Sequence, residues 1–276
     1  MQPTADTSSN LGFAPVVTPF DRPVTVYMAR TLETAVAATP ISEIAATMHA
    51  RRISGVPVLD ARGRLIGVVT RTDLIALGAL QAGRRGTSPV MPLPRRTAAE
   101  VMTADPQSIP RTATVRDAAR VMSSHAIHRV FVTDGEALVG VIGAVDIAAA
   151  VYDSRAAAPL STIMARPLVT LAPRAPLGSA VELLDRLRVE ALLVVDDGHL
   201  LGVFSQAEAL AARDLPRSTP IELLHDPALV CLPADTRLSR AAGHVARLDV
   251  RRVIVCEDRE PVGIVTALDF ARYVAW

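Results

Sequence analysis

The chain contains no lysine; all 29 of its basic residues are arginine. Coding bias is enough to account for that, although arginine forks also suit phosphate, so each arginine has to be judged at its own position. A surplus of one charge is missing too, since 29 basic against 28 acidic residues leave a net charge of +1. Without a basic footprint a nucleic-acid surface is not expected. Aromatic residues make up only 3%, which leaves few rings for base stacking and a core of Ala, Val, Leu and Ile. The two cysteines, Cys231 and Cys256, form no CxxC pair. Two such thiols do not make a zinc site or a disulfide framework, and they read as buried or half-buried structural residues. No apolar run approaches the ~18 residues of a membrane span. The opening "MQPTADTSSNLGFAPVV" lacks the basic start and apolar core of a signal peptide. A soluble, cytoplasmic chain with no membrane association is expected.

What the sequence has in abundance is repetition. "GVVTRTD" at residue 67 returns as "GVIGAVD" at 140, "GVFSQAE" at 202 and "GIVTALD" at 263. The intervals between the opening glycines are 73, 62 and 61 residues. A second anchor keeps step upstream: Met28, Met102, Met164 and Leu224 precede their glycines by 39, 38, 38 and 39 residues. A period of this kind marks a repeated folding unit.

Within each copy the periodicity changes in the same order. A short extended piece precedes an amphipathic helix ("ISEIAATMHAR", "VRDAARVMSSH", "LGSAVELLDRL", "LSRAAGHVARL"). A strand, a short turn and a second strand carrying the motif follow, as a hairpin, and a second helix starts at the motif itself. The fold class is therefore α/β (α+β), built from β-α-β-β-α units. The expected division is a flexible tail over 1–21, repeat 1 over 22–82, a Gly/Pro/Arg linker over 83–96, repeat 2 over 97–152, repeat 3 over 159–213 and repeat 4 over 217–276.

The chemistry-bearing residues lie at two places in each copy. Thr70 with Asp73, Ser205 with Glu208 and Thr266 with Asp269 have the spacing of a capping box at a helix start; copy two has Gly143 with Asp146. The cap alone accounts for hydroxyl and acid, but a helix start with free N–H groups is also an anion site. Just before each middle strand the copies diverge, reading "ISGVPV", "IHRVFV", "VEALLV" and "VRRVIV". His128 and Arg129 thus match Arg251 and Arg252, and charge-assisted arginine pairs suit phosphate. The odd copies offer Ser54, Gly55, Glu190 and Ala191. His125 and His128 lack a third ligand, so no metal is expected. Glu43, Asp117 and Glu182 read as solvated helix faces.

The phrases "SGVPVLDARGRLIGVVTRTDL" and "IHRVFVTDGEALVGVIGAVDI" resemble cystathionine β-synthase (CBS) domains, and the resemblance covers residues ~22–276. It implies four CBS repeats paired into two Bateman modules, similar in layout to the gamma subunit of AMP-activated protein kinase. It also implies a regulatory rather than catalytic role, with no catalytic cofactor and an adenine nucleotide (AMP, ADP or ATP) in clefts between paired repeats. S-adenosylmethionine and cyclic dinucleotides are lesser candidates. By that resemblance Asp73, Asp146 and Asp269 bind ribose, and Thr70, Ser205 and Thr266 lie near ribose or phosphate. Gly55, Val56 and Pro57 line the cleft, and His128, Arg129, Arg251 and Arg252 face phosphates. Glu208 is one methylene too long for the ribose position. The strongest site is expected to combine Thr70 and Asp73 with His128 and Arg129. The partners implied are the nucleotide, an unidentified regulated protein, and the chain itself, either as an intramolecular disc or as a homodimer. The alternative is a CBS scaffold that binds no ligand and serves only for oligomerisation.

Overall fold

The structure, a computed structural model, describes residues 18–81, 85–248, 250–258 and 260–276. Repeat 1 contains β1 (Ala35–Val36), α1 (Ile41–Ala50), β2 (Gly55–Leu59), β3 (Leu65–Thr70) and α2 (Arg71–Gln81). Repeat 2 contains β4 (Thr103–Ala104), β5 (Ser108–Pro110), α3 (Val115–His125), β6 (Arg129–Asp134), β7 (Ala137–Gly143) and α4 (Ala144–Asp153). Repeat 3 has β8 (Thr170–Leu171), α5 (Leu177–Leu187), β9 (Ala191–Asp196), β10 (His199–Ser205) and α6 (Gln206–Ala211). Repeat 4 has β11 (Cys231–Leu232), α7 (Leu238–Arg247), β12 (Arg252–Glu257), β13 (Glu260–Thr266) and α8 (Ala267–Ala275). In every repeat a short strand runs parallel to the middle strand, which turns back antiparallel into the motif strand.

The motif glycines explain how repeats pair. Ala29 exchanges backbone hydrogen bonds with Val141, and a Cβ on Gly140 would fall 2.8 Å from both Met28 Sδ and Ala29 O. Only a residue without a side chain allows that approach. Reciprocally, Met102 lies on Gly67 while β4 pairs with β3. Met164 lies on Gly263. The upstream anchors therefore cross over, repeat 1 with 2 and repeat 3 with 4. In repeat 4 the residue on Gly202 is His225, one position beyond the expected Leu224, because Asp226 is the residue that pairs with Val203.

The modules then join through their helices. One core unites Val115, Met122 and Ile147 of repeat 2 with Leu238, Val245 and Phe270 of repeat 4. The other unites Ile41, Met48 and Leu74 of repeat 1 with Leu177, Leu184 and Phe204 of repeat 3. All twelve of these side chains are buried, so the disc closes within one chain. Arg116 and Arg120 of α3 donate to the carbonyls of Val274 and Ala275, a favourable placement of cations at the end of α8.

Three expectations need amendment. Residues 1–17 of the expected tail lie outside the described residues, but Pro19–Asp21 form a helical turn and Phe20 packs under Arg116. The linker is docked rather than loose: Val90 and Met91 are buried, and their N–H groups donate to Leu215 and Arg213. The apolar run Val90–Leu93 supplies the reason, since exposing it costs free energy. Asp117 stays about half exposed, as expected of a solvated face, but it has a further role. It closes a capping box with Thr114 at the start of α3, and that hydroxyl holds its carboxyl below the usual range.

Candidate functional site

Each middle strand begins at the residue pair that differs among the copies, and the fold brings those four pairs together. Arg129 donates to the Ser54 hydroxyl oxygen, which also accepts from Arg251 at 3.0 Å. Arg251 donates further to the Arg52 carbonyl at 2.9 Å. His128 Nε2 lies 3.4 Å from Glu190 Oε1. These contacts tie repeat 1 to repeats 2 and 4, and repeat 2 to repeat 3.

Arg71, Arg129, Arg251 and Arg252 crowd one region, with Asp73, Glu190, Glu208 and Asp226 near enough to oppose part of the repulsion. Burial, then Arg251, push the Arg129 guanidinium down to about 10, and the same two causes lower Arg71 to about 10. Burial lowers Arg252 against the pull of Glu190 and Glu208. Burial also lowers His128, with Glu190 opposing it. Such mutual repulsion in a desolvated place is relieved by an anion.

Two cavities open here. The larger, about 870 Å³, is lined by Ser205 and Glu208 of repeat 3, Arg251 and Arg252 of repeat 4, and Arg52 and Arg71 of repeat 1. Val203, Leu229, Val230 and Ile254 give it an apolar wall. The smaller, about 520 Å³, is lined by Gly143 and Asp146 with Gly55, Pro57, His128 and Arg129.

The three motifs with a hydroxyl form the helix caps that their spacing predicts, and copy two forms the carboxylate half alone. The Thr70 N–H and hydroxyl donate to Asp73 Oδ2 at 2.8 and 2.7 Å. Ser205 caps with Glu208, its N–H donating at 2.8 Å, and Thr266 with Asp269, both donors at 2.8 Å. Asp269 is buried and its Oδ1 accepts from Arg272 at 2.7 Å, so both of its oxygens are engaged. Among the described residues Asp146 accepts only the Gly143 N–H, at 2.7 Å, and burial pushes its carboxyl up to about 6.

The sequence ranks Thr70 and Asp73 first, yet neither lines either cavity; the larger opening lies instead at Ser205 and Glu208. Gly55 pairs with Thr70, and the Arg129 guanidinium lies where a Gly55 Cβ would be. Arg129 thus occupies the space beside Thr70, near enough for Asp73 to favour its charge. Val56 is buried in β2 and lines neither cavity, nor do Thr266 and Asp269. Sequence reasoning missed Arg71 and Arg52. Arg71 was available in "GVVTRTD", because the matching positions in the other copies are Ala144, Gln206 and Ala267, all uncharged.

Comparison with known proteins agrees with this architecture. The model of the CBS domain matches residues 13–79, 98–153, 160–215 and 221–275. An uncharacterized 33.4 kDa protein in the ribosomal RNA operon of Thermofilum pendens is 25% identical over 205 residues, 68% of this chain and 63% of that protein. A homoserine O-acetyltransferase of Methanocorpusculum labreanum is 33% identical over 111 residues, 40% of this chain and 22% of the enzyme. The chain therefore spans less than two thirds of either relative. A solved structure from Methanocaldococcus jannaschii, proposed as an archaeal homologue of γ-AMPK, superposes with TM-score 0.78 at 16% identity, over 91% of this chain and 99% of that one. An uncharacterized conserved protein from Pyrococcus horikoshii gives TM-score 0.64 at 16% identity, over 92% and 100%. At such identity the likeness is one of fold. The four matched stretches, each a β-α-β-β-α unit paired with its neighbour through a motif glycine, place this chain in the CBS-domain family.

Proposed function

We propose that the chain is a regulatory protein that binds an adenine nucleotide between paired CBS repeats and transmits the bound state to a partner protein. The supporting observation is the larger cavity, where Arg71, Arg251 and Arg252 meet an apolar wall and the Ser205–Glu208 edge. A nucleotide needs those three surfaces: an apolar slot for the base, acceptors for the ribose hydroxyls (which Glu208 offers one methylene farther out than an aspartate would) and arginine forks for phosphate. The volume suits a small-molecule site of roughly 300–1,000 Å³. AMP, ADP and ATP are the first candidates, then S-adenosylmethionine and cyclic dinucleotides. The role is sensing rather than catalysis.

A thermal-shift panel of those compounds tests the reading. A ligand at about 100 times its Kd stabilises by roughly 2.7 kcal/mol. If none moves the melting temperature, the disc is a scaffold that holds itself together without a ligand. Thr70 and Asp73 with Arg129 remain a second proposed site, entered only when Arg129 swings from Ser54 to a phosphate. Unchanged binding stoichiometry and affinity in Arg129→Ala would remove that second site.

A further inference from the structure

The two cysteines are far apart in sequence and adjacent in the fold. β11 pairs in parallel with β12 so that Cys231 stands opposite Ile254. Side chains alternate along a strand, so Cys256, two residues after Ile254, projects from the same face as Cys231. Cys256 is half-buried, as expected, whereas Cys231 is exposed, contrary to the expectation that it is at least half-buried. Both are unpaired thiols, and β11 is a two-residue strand at the sheet edge. An edge of that length can shift to bring one sulfur onto the other.

We propose that Cys231 and Cys256 form a reversible intramolecular disulfide, installed by low-molecular-weight disulfides and removed by thiols, that fixes one wall of the larger cavity. Cys231, the exposed partner, attacks the small disulfide as its thiolate. One S–S bond forms, one breaks, and one small thiol leaves. Cys256 then loses its proton to solvent and attacks the Cys231 sulfur, releasing the second small thiol. Two protein thiols are oxidised by two electrons, and one small disulfide is reduced to two thiols. Burial, and then the neighbouring Cys231 thiol, push Cys256 up to about 12, so the second step is the slow one and speeds up as pH rises. The cavity enters because Leu229 and Val230, directly before Cys231, line it together with Ile254. The Ile254 N–H already donates to the Val230 carbonyl at 2.9 Å.

The test uses the full chain in mixtures of oxidised and reduced glutathione, followed by alkylation and peptide mass analysis without reductant. The expected product is a Cys231–Cys256 cross-linked peptide with both alkylation sites lost, reversed by excess reduced glutathione. Cys256→Ser should stop at a single glutathione adduct on Cys231. A wild-type chain that also stops at that adduct, or that cross-links only between molecules, overturns the proposal. The wall is read without any nucleotide, by hydrogen exchange: the Ile254 amide should exchange about tenfold more slowly in the oxidised chain. A complete cross-link with unchanged exchange overturns the link to the cavity.

Discussion

The two cavities stand on the same backbone frame and differ in chemistry. In the smaller, Arg129 and Arg251 both bond to Ser54, so much of the positive charge is already engaged by the protein; Arg251 lines both cavities. Its carboxylate, Asp146, has one donor and is pushed up to about 6 by burial. In the larger, the side chains of Arg71 and Arg252 have no hydrogen-bond partner among the described residues, and Glu208 sits in a complete cap. Equal folds therefore do not make equal sites. Arg252 comes from the divergent pair of repeat 4, whereas Arg71 reaches the same cleft from the motif of repeat 1.

The sharpest way to break this contrast is Arg252→Ala. Losing a charge-assisted bond costs about 1.5–3 kcal/mol, so AMP affinity should fall roughly 10- to 150-fold by calorimetry. Arg129→Ala should leave the larger cavity within a few-fold of wild type. Equal losses in both variants would mean that the clefts do not differ as described.

Gly140→Ala tests the frame shared by both clefts. The added Cβ meets a backbone carbonyl at 2.8 Å, and overpacking of this kind costs about 1–3 kcal/mol. Chemical denaturation should show that loss, and a neutral result would mean that repeats 1 and 2 are not so closely apposed.

Asp146→Asn isolates the buried carboxylate. Its folded value of about 6 exceeds the ordinary 3.8, so the folded state binds the proton more tightly. The associated stability is fully present below about 4 and is lost as pH rises through about 6. At pH 8 the wild type therefore carries a buried charge that asparagine lacks. At about 1.4 kcal/mol per tenfold change in proton affinity, less the lost charge at the start of α4, the variant should gain about 2 kcal/mol. That gain should fade on acidification to pH 4, and a gain independent of pH would contradict the burial explanation.

The smallest effect is expected at the His128–Glu190 contact in the wall of the smaller cleft. Glu190→Gln removes the carboxylate that opposes desolvation of His128, so the imidazole should titrate at lower pH by NMR, with stability changed by less than about 1 kcal/mol. An upward shift would mean that Glu190 does not face His128.

The fourfold repeat, the hairpins and the helix caps were legible because they rest on residues close in the chain. A Thr or Ser three positions before an acid caps a helix wherever that helix goes. The docked linker was harder to see: glycine, proline and arginine point to a loop, while Val90 and Met91 reveal their role only against Arg213 and Leu215. Thr114 with Asp117 has the same capping spacing as the motif, yet outside the repeated phrase it passed as surface charge.

The sequence by itself determined four units, their internal order and the divergent residue pairs, since periodicity and caps are local properties of the chain. Which units meet, and which arginines are left for a ligand, were decided only in three dimensions. Arg129 and Arg251 reach Ser54 from positions 75 and 197 residues away, and Arg71 joins the cleft of repeat 3 from repeat 1. Long-range packing of two separate helix layers sets those distances, and no spacing within a single repeat encodes them.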